Sequence, residues 1–527
     1  MGHLRPALRA AAVLLSIWLG VPAASAAESV LKVNVQSDLM NIDPIWTTAY
    51  ITRNHGYMVF DTLFAMDAEL EVRPQMAEGH TLSADAKTYT ITLRQGLQWL
   101  DGRPVTPADC IQSIRRWGAR DGMGQQLMAQ VSSMETVDDR RFRIHLKAPW
   151  GLTLAALGKM SSNVPFMMPE RLAKTDPFEQ IAEAIGSGPF AFVKAEWRPG
   201  AKVVYRRNAD YRPRAEPPSG AAGGKIVHFD RVEWLYIPDQ NTAMNALIVG
   251  EIDYIESPSP DFLPILRQSD GVKLKIIDPR GSQGWLRINH LLPPFDKLKA
   301  RQALQYMVDQ ETYLLAMVGD PTLFRTCPAM FVCDTPYASD VGATRLMAKD
   351  PAKAKALLKA SGYDGGKVVL LHATDGTHSS PATLVTAQLM RDIGINVEVQ
   401  AMDWSTLTAR RAKKKPLADG GWSAFHTSWS SLDLINPVAN IGVSGGCQAK
   451  AWFGWPCDEK IEDLRRAFSA EPDGAKRKAL AEQVQARAME IVTYIPIGQY
   501  TSPIAYRADL TGVLEAPVPL FWNIRRR

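Results

Sequence analysis

Two stretches in the second half of the chain repeat one order of helix, turn and strand, and this order restricts the possible folds most. In DPAKAKALLKASGYDGGKVVLLHA, Asp350 is placed to cap a helix that Pro351 begins and Gly362 ends, and an apolar run follows. ATLVTAQLMRDIGINVEVQAM has the same order. Alternating helices and strands are typical of an α/β sheet with helices packed on its faces. The patterns predict helices over 351–361 and 381–393 and strands over 368–372 and 396–402.

The first half contains the same kind of unit in YTITLRQGLQWLDGRPVTPADCIQSIRRW. Its first residues alternate apolar and polar, which predicts a strand, and Thr106 and Pro107 predict the start of a helix. The unit holds no obvious catalytic group, so we expect it to serve packing. Because 527 residues exceed what one core supports, two or three domains are expected. The same patterns predict further strands over 31–36, 142–147, 202–206 and 273–277 and helices over 300–309 and 476–492.

The amino terminus has the features of a secretory signal peptide over residues 1–26. Arg5 and Arg9 precede an apolar run, and Ala24 and Ala26 occupy the small positions of a cleavage site. The run is short for a transmembrane anchor, and no cysteine follows the site to carry a lipid. Removing the two arginines lowers the formal charge from +5 to +3, which does not suggest nucleic acid as a partner. The mature chain is expected in the periplasm.

Because an exported protein folds in an oxidising compartment, its cysteines can form disulfides. Cys327 with Cys333, and Cys447 with Cys457, are locally spaced pairs that could each close a small loop. We predict two disulfides, each contributing about 2–3 kcal/mol. A zinc site is the alternative for four cysteines, but CxxC spacing is absent. Cys110 is expected to be a small core residue on the apolar stripe of its helix.

Signals for an enzyme are weak. GVSGG matches the GxSxG nucleophile elbow by letters, with Ser444 at its centre. That mechanism needs a strand before the serine and a helix after it, whereas NPVANI precedes it. The histidines lack metal-binding spacing, and SGAAGGK lacks the spacing of a phosphate loop. No catalytic residue, metal or cofactor is predicted.

The chain resembles, over nearly its whole mature length, a family of extracytoplasmic solute-binding proteins of ABC importers, the dipeptide/oligopeptide/nickel-binding family. The resemblance rests on the order and spacing of NIDPIWTTAY, YTITLRQGLQWLDGRPVTPADC, GSGPFAFVKAEWRPGAKVVYRRNADY, IPDQNTAMNALIVGEIDYI and INHLLPPFDKLKARQALQYMVDQE. Cys447 and Cys457 stand where dipeptide-binding members carry a disulfide. No single motif is decisive.

The resemblance implies a two-lobed α/β periplasmic-binding-protein fold of type II with a hinged cleft and an extra subdomain in the first lobe. It implies lobe 1 at 27–61, 181–284 and 499–527, the subdomain at 62–180 and lobe 2 at 285–498. Such a protein encloses a solute between its lobes and presents the closed shape to a permease, as a monomer. The alternatives are a sensor or chaperone module on the same fold and a secreted hydrolase using Ser444.

The resemblance also places FHTSWSSLDLINP in the cleft, where the family uses an acidic residue against the ligand's amino terminus. Asp433 is the nearest acid, although the register differs by about one residue and Asn436 replaces the acid before the proline. A buried carboxylate implies a cationic group on the solute. A surface-loop aspartate or helix cap is the alternative. The remaining candidates are aromatic or polar walls, namely Trp429, Gln283, Trp285, Trp46 and Tyr50.

One departure from the family concerns the ligand's carboxylate. Where dipeptide binders carry an arginine clamp, this chain has HATDGTHSS over residues 372–380, without arginine. A free dipeptide is therefore disfavoured against a longer peptide, an amino-acid derivative, an opine-like compound or another cationic solute. A nickel ligand would need a chelator, because clustered metal ligands are absent.

Overall fold

The computed structural model describes residues 1–2, 28–471 and 473–527. The predicted signal peptide over residues 1–26 lies almost wholly outside the described residues. In the described part, no helix is long and apolar enough to cross a membrane.

The structure contains two large sheets. The first sheet has seven strands, in the spatial order Phe190–Phe192, Lys202–Arg207, Arg231–Leu235, Val30–Asn34, Tyr254–Ile255, Ile504–Arg507 and Val272–Lys275. The second sheet has six strands, in the order Phe324–Arg325, Tyr494–Tyr500, Ser282–Ile288, Ala424–Ser430, Val368–Ala373 and Val397–Met402. These mixed sheets carry helices between their strands and match the predicted two-lobed α/β fold.

A smaller sheet contains the strand predicted at the start of the unit YTITLRQGLQWLDGRPVTPADCIQSIRRW. It is antiparallel, with the order Ala77–Leu82, Thr88–Leu93, Arg141–Leu146 and Val131–Thr136. Short pairs join Asp61–Thr62 with Phe166–Met167, Phe64–Met66 with Val72–Pro74, and Leu510–Thr511 with Arg525–Arg526.

The α-helices span Tyr50–Val59, Pro107–Arg120, Gly122–Gln130, Thr153–Leu157, Glu170–Ala173, Gln240–Val249, Leu263–Gln268, Leu298–Met307, Gln310–Met317, Thr344–Ala348, Pro351–Ala360, Ser379–Asp392, Trp404–Arg411, Cys447–Lys450, Glu459–Ala470 and Gly474–Ile491. The helix starts predicted at residues 107 and 351 are confirmed, whereas the helices predicted from residues 300, 381 and 476 each begin two residues earlier. Thr106 and Asp109 form a reciprocal capping box before Pro107. The carboxylate of Asp350 accepts from the backbone N–H of Lys353.

The chain passes between the sheets twice, over residues 276–281 and 501–503. Gly281 lies where the two crossovers meet, with φ at +64°, and a Cβ on it would come within 2.1 Å of the Tyr500 carbonyl oxygen. Glycine is therefore required for this close approach. Strands Ser282–Ile288 and Tyr494–Tyr500 run across the predicted lobe boundaries at 284/285 and 498/499. The division into lobes and subdomain stays a prediction.

Both predicted disulfides are present. Cys327 is bonded to Cys333 and Cys447 to Cys457. Cys110 is free and buried in the helix Pro107–Arg120, as expected for a core residue.

Candidate functional site

A cavity of about 240 Å³ lies between the two sheets, next to the crossovers. This volume is at the small end of the range for ligand pockets, about 300–1,000 Å³. Its wall on the side of the first sheet includes Gln36, Thr48, Tyr50, Arg53, Glu256 and Asp278. The opposite wall includes Thr377, His378, Trp404, Arg411, Thr427, Ser428 and Trp429, and Ser282, Tyr500 and Ser502 lie between the walls.

Arg411 is the most unusual residue of the cavity wall. It ends the helix Trp404–Arg411, is 2% exposed and forms no ion pair with a carboxylate of the described residues. Its Nη2 lies 3.5 Å from Thr48 Oγ1, and its Nε has no hydrogen-bond partner within the described chain. Burial lowers its pKa to about 9, so it stays charged at neutral pH. The guanidinium contacts the aromatic rings of Trp404, Phe425, Trp452 and Phe453 at 5.0–5.7 Å.

Those rings give the guanidinium cation–π contacts, which replace only part of its lost hydration. A buried cation without an anionic partner is costly, whereas a bound carboxylate would satisfy both its charge and its donors. Arg411 is not among the predicted ligand residues, because the resemblance to the family places a carboxylate-binding arginine in the segment over residues 372–380. That segment does enter the wall, through Gly376, Thr377, His378 and Ser379.

Of the predicted ligand residues, Tyr50 and Trp429 line the cavity from opposite walls and contact each other. Their rings meet edge to face with centroids 6.2 Å apart. Trp429 is 3% exposed, and its Nε1 has no partner among the described residues. The two rings therefore offer an apolar surface, and the indole N–H of Trp429 is left without an acceptor among the described residues.

Asp433 lies beside Tyr50 but is buried and outside the cavity wall. Its Oδ2 accepts hydrogen bonds from the Tyr50 hydroxyl at 2.6 Å and from Ser161 Oγ at 2.7 Å. The Tyr50 oxygen also accepts from the backbone N–H of Ser430 at 2.7 Å. Burial raises the pKa of Asp433, and the nearby charge of Lys159 opposes the rise. These contacts join the two walls directly.

Gln283 and Trp285 form a layer behind Trp429. Trp285 stacks on Tyr494 at 3.8 Å and lies 5.3 Å from the Trp429 ring. Its Nε1 donates to Gln283 Oε1, and Gln283 Nε2 donates to the Ala329 carbonyl. Both side chains are fully buried and do not line the cavity.

Trp46 is the predicted ligand residue that lies apart from the others. Its Nε1 donates to the Phe178 carbonyl at 2.9 Å. The buried ion pair of Asp43 with Arg116 fixes this turn against the helix Pro107–Arg120, since Asp43 also accepts from the Trp46 backbone N–H. The cavity wall does not include Trp46. A contact between Trp46 and a ligand stays a prediction.

His378 contributes a neutral ring to the wall. It stacks on Tyr500 at 4.5 Å, and its Nε2 lies 3.1 Å from Ser502 Oγ. Burial lowers its pKa to about 4, so the ring is uncharged at neutral pH.

Ser444 has no setting for nucleophilic attack. A 3₁₀ turn, Ile441–Val443, precedes it, rather than a strand, and its Oγ donates to Glu462 Oε1 at 3.1 Å. Within the described chain, no histidine is hydrogen-bonded to it. The same part of the chain shows no cluster of three residues that could hold a metal ion.

The comparisons with known proteins agree with this geometry. Residues 71–440 match the family model for bacterial extracellular solute-binding proteins, family 5 middle. A probable peptide ABC transporter periplasmic-binding protein of Sinorhizobium fredii is 40% identical, and the match covers 98% of this chain and 97% of that protein. A glutathione-binding protein of Salmonella typhi is 26% identical over 80% of this chain and 78% of its own length.

Solved structures share the fold. The periplasmic binding protein AgaA from A. tumefacien R10, in complex with agropinic acid, aligns with a TM-score of 0.79 at 21% identity, covering 94% of this chain and 99% of the other. A dipeptide-binding protein of Pseudoalteromonas sp. SM9913, in complex with Met-Leu, aligns with a TM-score of 0.78 at 20% identity, covering 94% and 100%.

Proposed function

The chain belongs to the family 5 bacterial extracellular solute-binding proteins, and we propose that it delivers a peptide or peptide-like solute with a free carboxylate to an ABC permease. Its location is extracytoplasmic, as for its relatives. We further propose that residues 1–26 are a cleaved signal peptide and that the mature protein acts as a periplasmic monomer.

The observation that carries this proposal is the buried guanidinium of Arg411 in the cavity wall, which forms no ion pair within the described part of the chain. A carboxylate can accept two parallel hydrogen bonds from a guanidinium and neutralise it. Peptides end in a carboxylate, and the relative at 40% identity is named as a probable peptide carrier. A free dipeptide is therefore a candidate again. Its carboxylate can bind Arg411, although the segment over residues 372–380 contains no arginine.

The predicted aromatic residues have complementary roles in the proposed site. Tyr50 and Trp429 contact the solute, and the free Nε1 of Trp429 donates to one of its oxygens. Gln283 and Trp285 support Trp429 from behind. Asp433 holds the Tyr50 hydroxyl in place through its carboxylate.

This function requires closure of the lobes and no reaction of the solute. Because the ligand touches both walls, its binding favours the closed state over the open one. The permease then recognises the closed shape. We propose that the protein turns over no substrate.

Native mass spectrometry of the protein purified from periplasm tests the proposal. We expect a retained solute that fragmentation identifies as a carboxylic acid. Arg411→Met should lose the adduct. The matched control is Arg410→Met, because the neighbouring guanidinium is only partly buried and donates to the carbonyls of Gly420 and Gly421. A retained solute without an acidic group, or one that both variants keep, would contradict the proposed function.

A further inference from the structure

The wall opposite Arg411 contains a carboxylate that no part of the proposed function uses. Glu256 follows the strand Tyr254–Ile255, and Gln36 lies just beyond the parallel strand Val30–Asn34. Both residues therefore lie outside the carboxyl ends of neighbouring parallel strands, where ligands bind in open α/β sheets. Both line the cavity.

Neutral groups hold the Glu256 carboxylate in place. Gln36 Nε2 and Asn54 Nδ2 each donate to Oε1 at 2.8 Å, and the Gln36 backbone N–H donates to Oε2 at 3.2 Å. No lysine or arginine of the described residues forms an ion pair with it. Arg53 acts on it through space, but its own donors go to Asn54 and Ser161. Neutral donors orient the carboxylate, and no cation of the described residues contacts it.

The environment makes a cationic partner favourable. Burial raises the pKa of Glu256, which means that the surroundings disfavour its charged form. Asp278, in the same wall, already forms an ion pair with Arg280 Nε at 3.5 Å, so Glu256 is the carboxylate left without one within the described chain. An ammonium group placed beside Glu256 would stabilise its charged form.

The other wall independently indicates a ligand. Arg411 Nε and Trp429 Nε1 are unpartnered within the described chain, are at least nine-tenths buried and belong to residues that line the cavity. One face of the cavity thus has spare hydrogen-bond donors and a spare positive charge. The opposite face has the Glu256 carboxylate, which no cation of the described residues contacts.

We propose that Glu256 forms a cation subsite, so that the solute is a zwitterion whose ammonium meets Glu256 while its carboxylate meets Arg411. This inference rests on the proposed function and narrows it to solutes such as short peptides with a free amino terminus. It differs from the expectation for Asp433, which lies outside the cavity wall, whereas Glu256 lines the cavity.

The test uses the mature protein and a mixture of dipeptides of the form Xaa-Leu, either free or N-acetylated. Binding is measured by isothermal titration calorimetry, and folding by thermal denaturation. Wild-type protein should bind the free mixture at least about 30-fold more tightly than the acetylated one, as expected for losing one buried charge pair. Glu256→Gln should abolish this preference, and Glu256→Asp should reduce it. Asp433→Asn should keep it.

The outcomes separate this inference from the proposed function. A Glu256→Gln protein that folds and still prefers the free mixture overturns the cation subsite, as does wild-type protein without a preference. If Glu256→Gln does not fold, Glu256→Asp and the wild-type preference decide. Loss of the preference in Asp433→Asn alone would assign the cation to Asp433. Unchanged binding in Arg411→Met, or no binding of the free mixture to wild-type protein, would overturn the proposed function as well.

Discussion

Arg287 and Arg411 are both buried arginines, but Arg411 lines the cavity and Arg287 does not. Both are at most 2% exposed, both have a pKa lowered to about 9 by burial, and both lie about 5 Å from the Trp452 ring. Arg287 donates to the carbonyls of Phe453, Gly442, Thr493 and Trp452 at 2.6–3.2 Å. Among the described residues, the Arg411 guanidinium donates one hydrogen bond, to Thr48 Oγ1 at 3.5 Å. Backbone carbonyls therefore satisfy the donors of Arg287, whereas the donors of Arg411 are left for a ligand.

The largest expected effect is on the satisfied arginine. Arg287→Met should lower the free energy of unfolding by about 4 kcal/mol, because it removes the donors of four carbonyls in the core. Urea denaturation followed by circular dichroism measures this. A loss below about 1 kcal/mol would contradict the structural role of Arg287.

Arg411→Met should do the opposite to the unligated protein. Removing an unpaired buried charge should leave the free energy of unfolding unchanged or raise it by about 1 kcal/mol. Affinity for a carboxylate ligand should fall by about 3 kcal/mol, measured by titration calorimetry. A destabilisation as large as that of Arg287→Met would remove the difference between the two arginines.

His426 is also a buried basic residue, but unlike the two arginines it is uncharged at neutral pH. It is 2% exposed, its Nε2 lies 2.7 Å from Thr386 Oγ1, and burial lowers its pKa to about 3. Because the unfolded pKa is about 6.5, the unfolded chain binds the proton more readily, and stability is lost as pH falls from 6.5 towards 3. We expect a loss of about 2 kcal/mol between pH 6.5 and pH 5 from this residue. Urea denaturation should show a smaller loss in His426→Gln, and equal slopes would contradict a neutral His426.

Arg411→Lys should produce the smallest change. Lysine keeps the positive charge but lacks the planar pair of donors, so affinity for a carboxylate should fall by about 1 kcal/mol. Calorimetry on the same ligand measures this, and the decrease should be smaller than for Arg411→Met. An equal loss of affinity in Arg411→Lys and Arg411→Met would mean that the positive charge does not contribute to binding the carboxylate.

Much of the fold could be predicted from local signals. Asp350, Pro351 and Gly362 mark a helix within a few residues of the chain, and the alternation from Thr88 to Leu93 marks a strand. These features depend on neighbours in sequence, so short patterns are sufficient. The resemblance to the solute-binding family supplied the arrangement of the lobes, which no local pattern contains.

The site was harder to predict because burial at the cleft is decided by distant residues. Arg410 and Arg411 are adjacent and chemically identical, yet only Arg411 is fully buried, against Trp452 and Phe453 from a later segment. Trp46 shows the converse, since the ion pair of Asp43 with Arg116 fixes its turn outside the cavity wall. Glu256 carried no sequence signal, because the two-residue strand before it, Tyr254–Ile255, was not predicted.

The most direct test of the account is a thermodynamic cycle on Arg411 and the ligand's carboxylate. Calorimetry would compare wild-type protein and Arg411→Met, each with an Xaa-Leu dipeptide that it binds and with the corresponding carboxamide. We predict that the carboxamide binds wild-type protein about 2–3 kcal/mol more weakly than the free acid and that Arg411→Met removes this difference. Equal discrimination between acid and amide by both proteins would contradict the central claim.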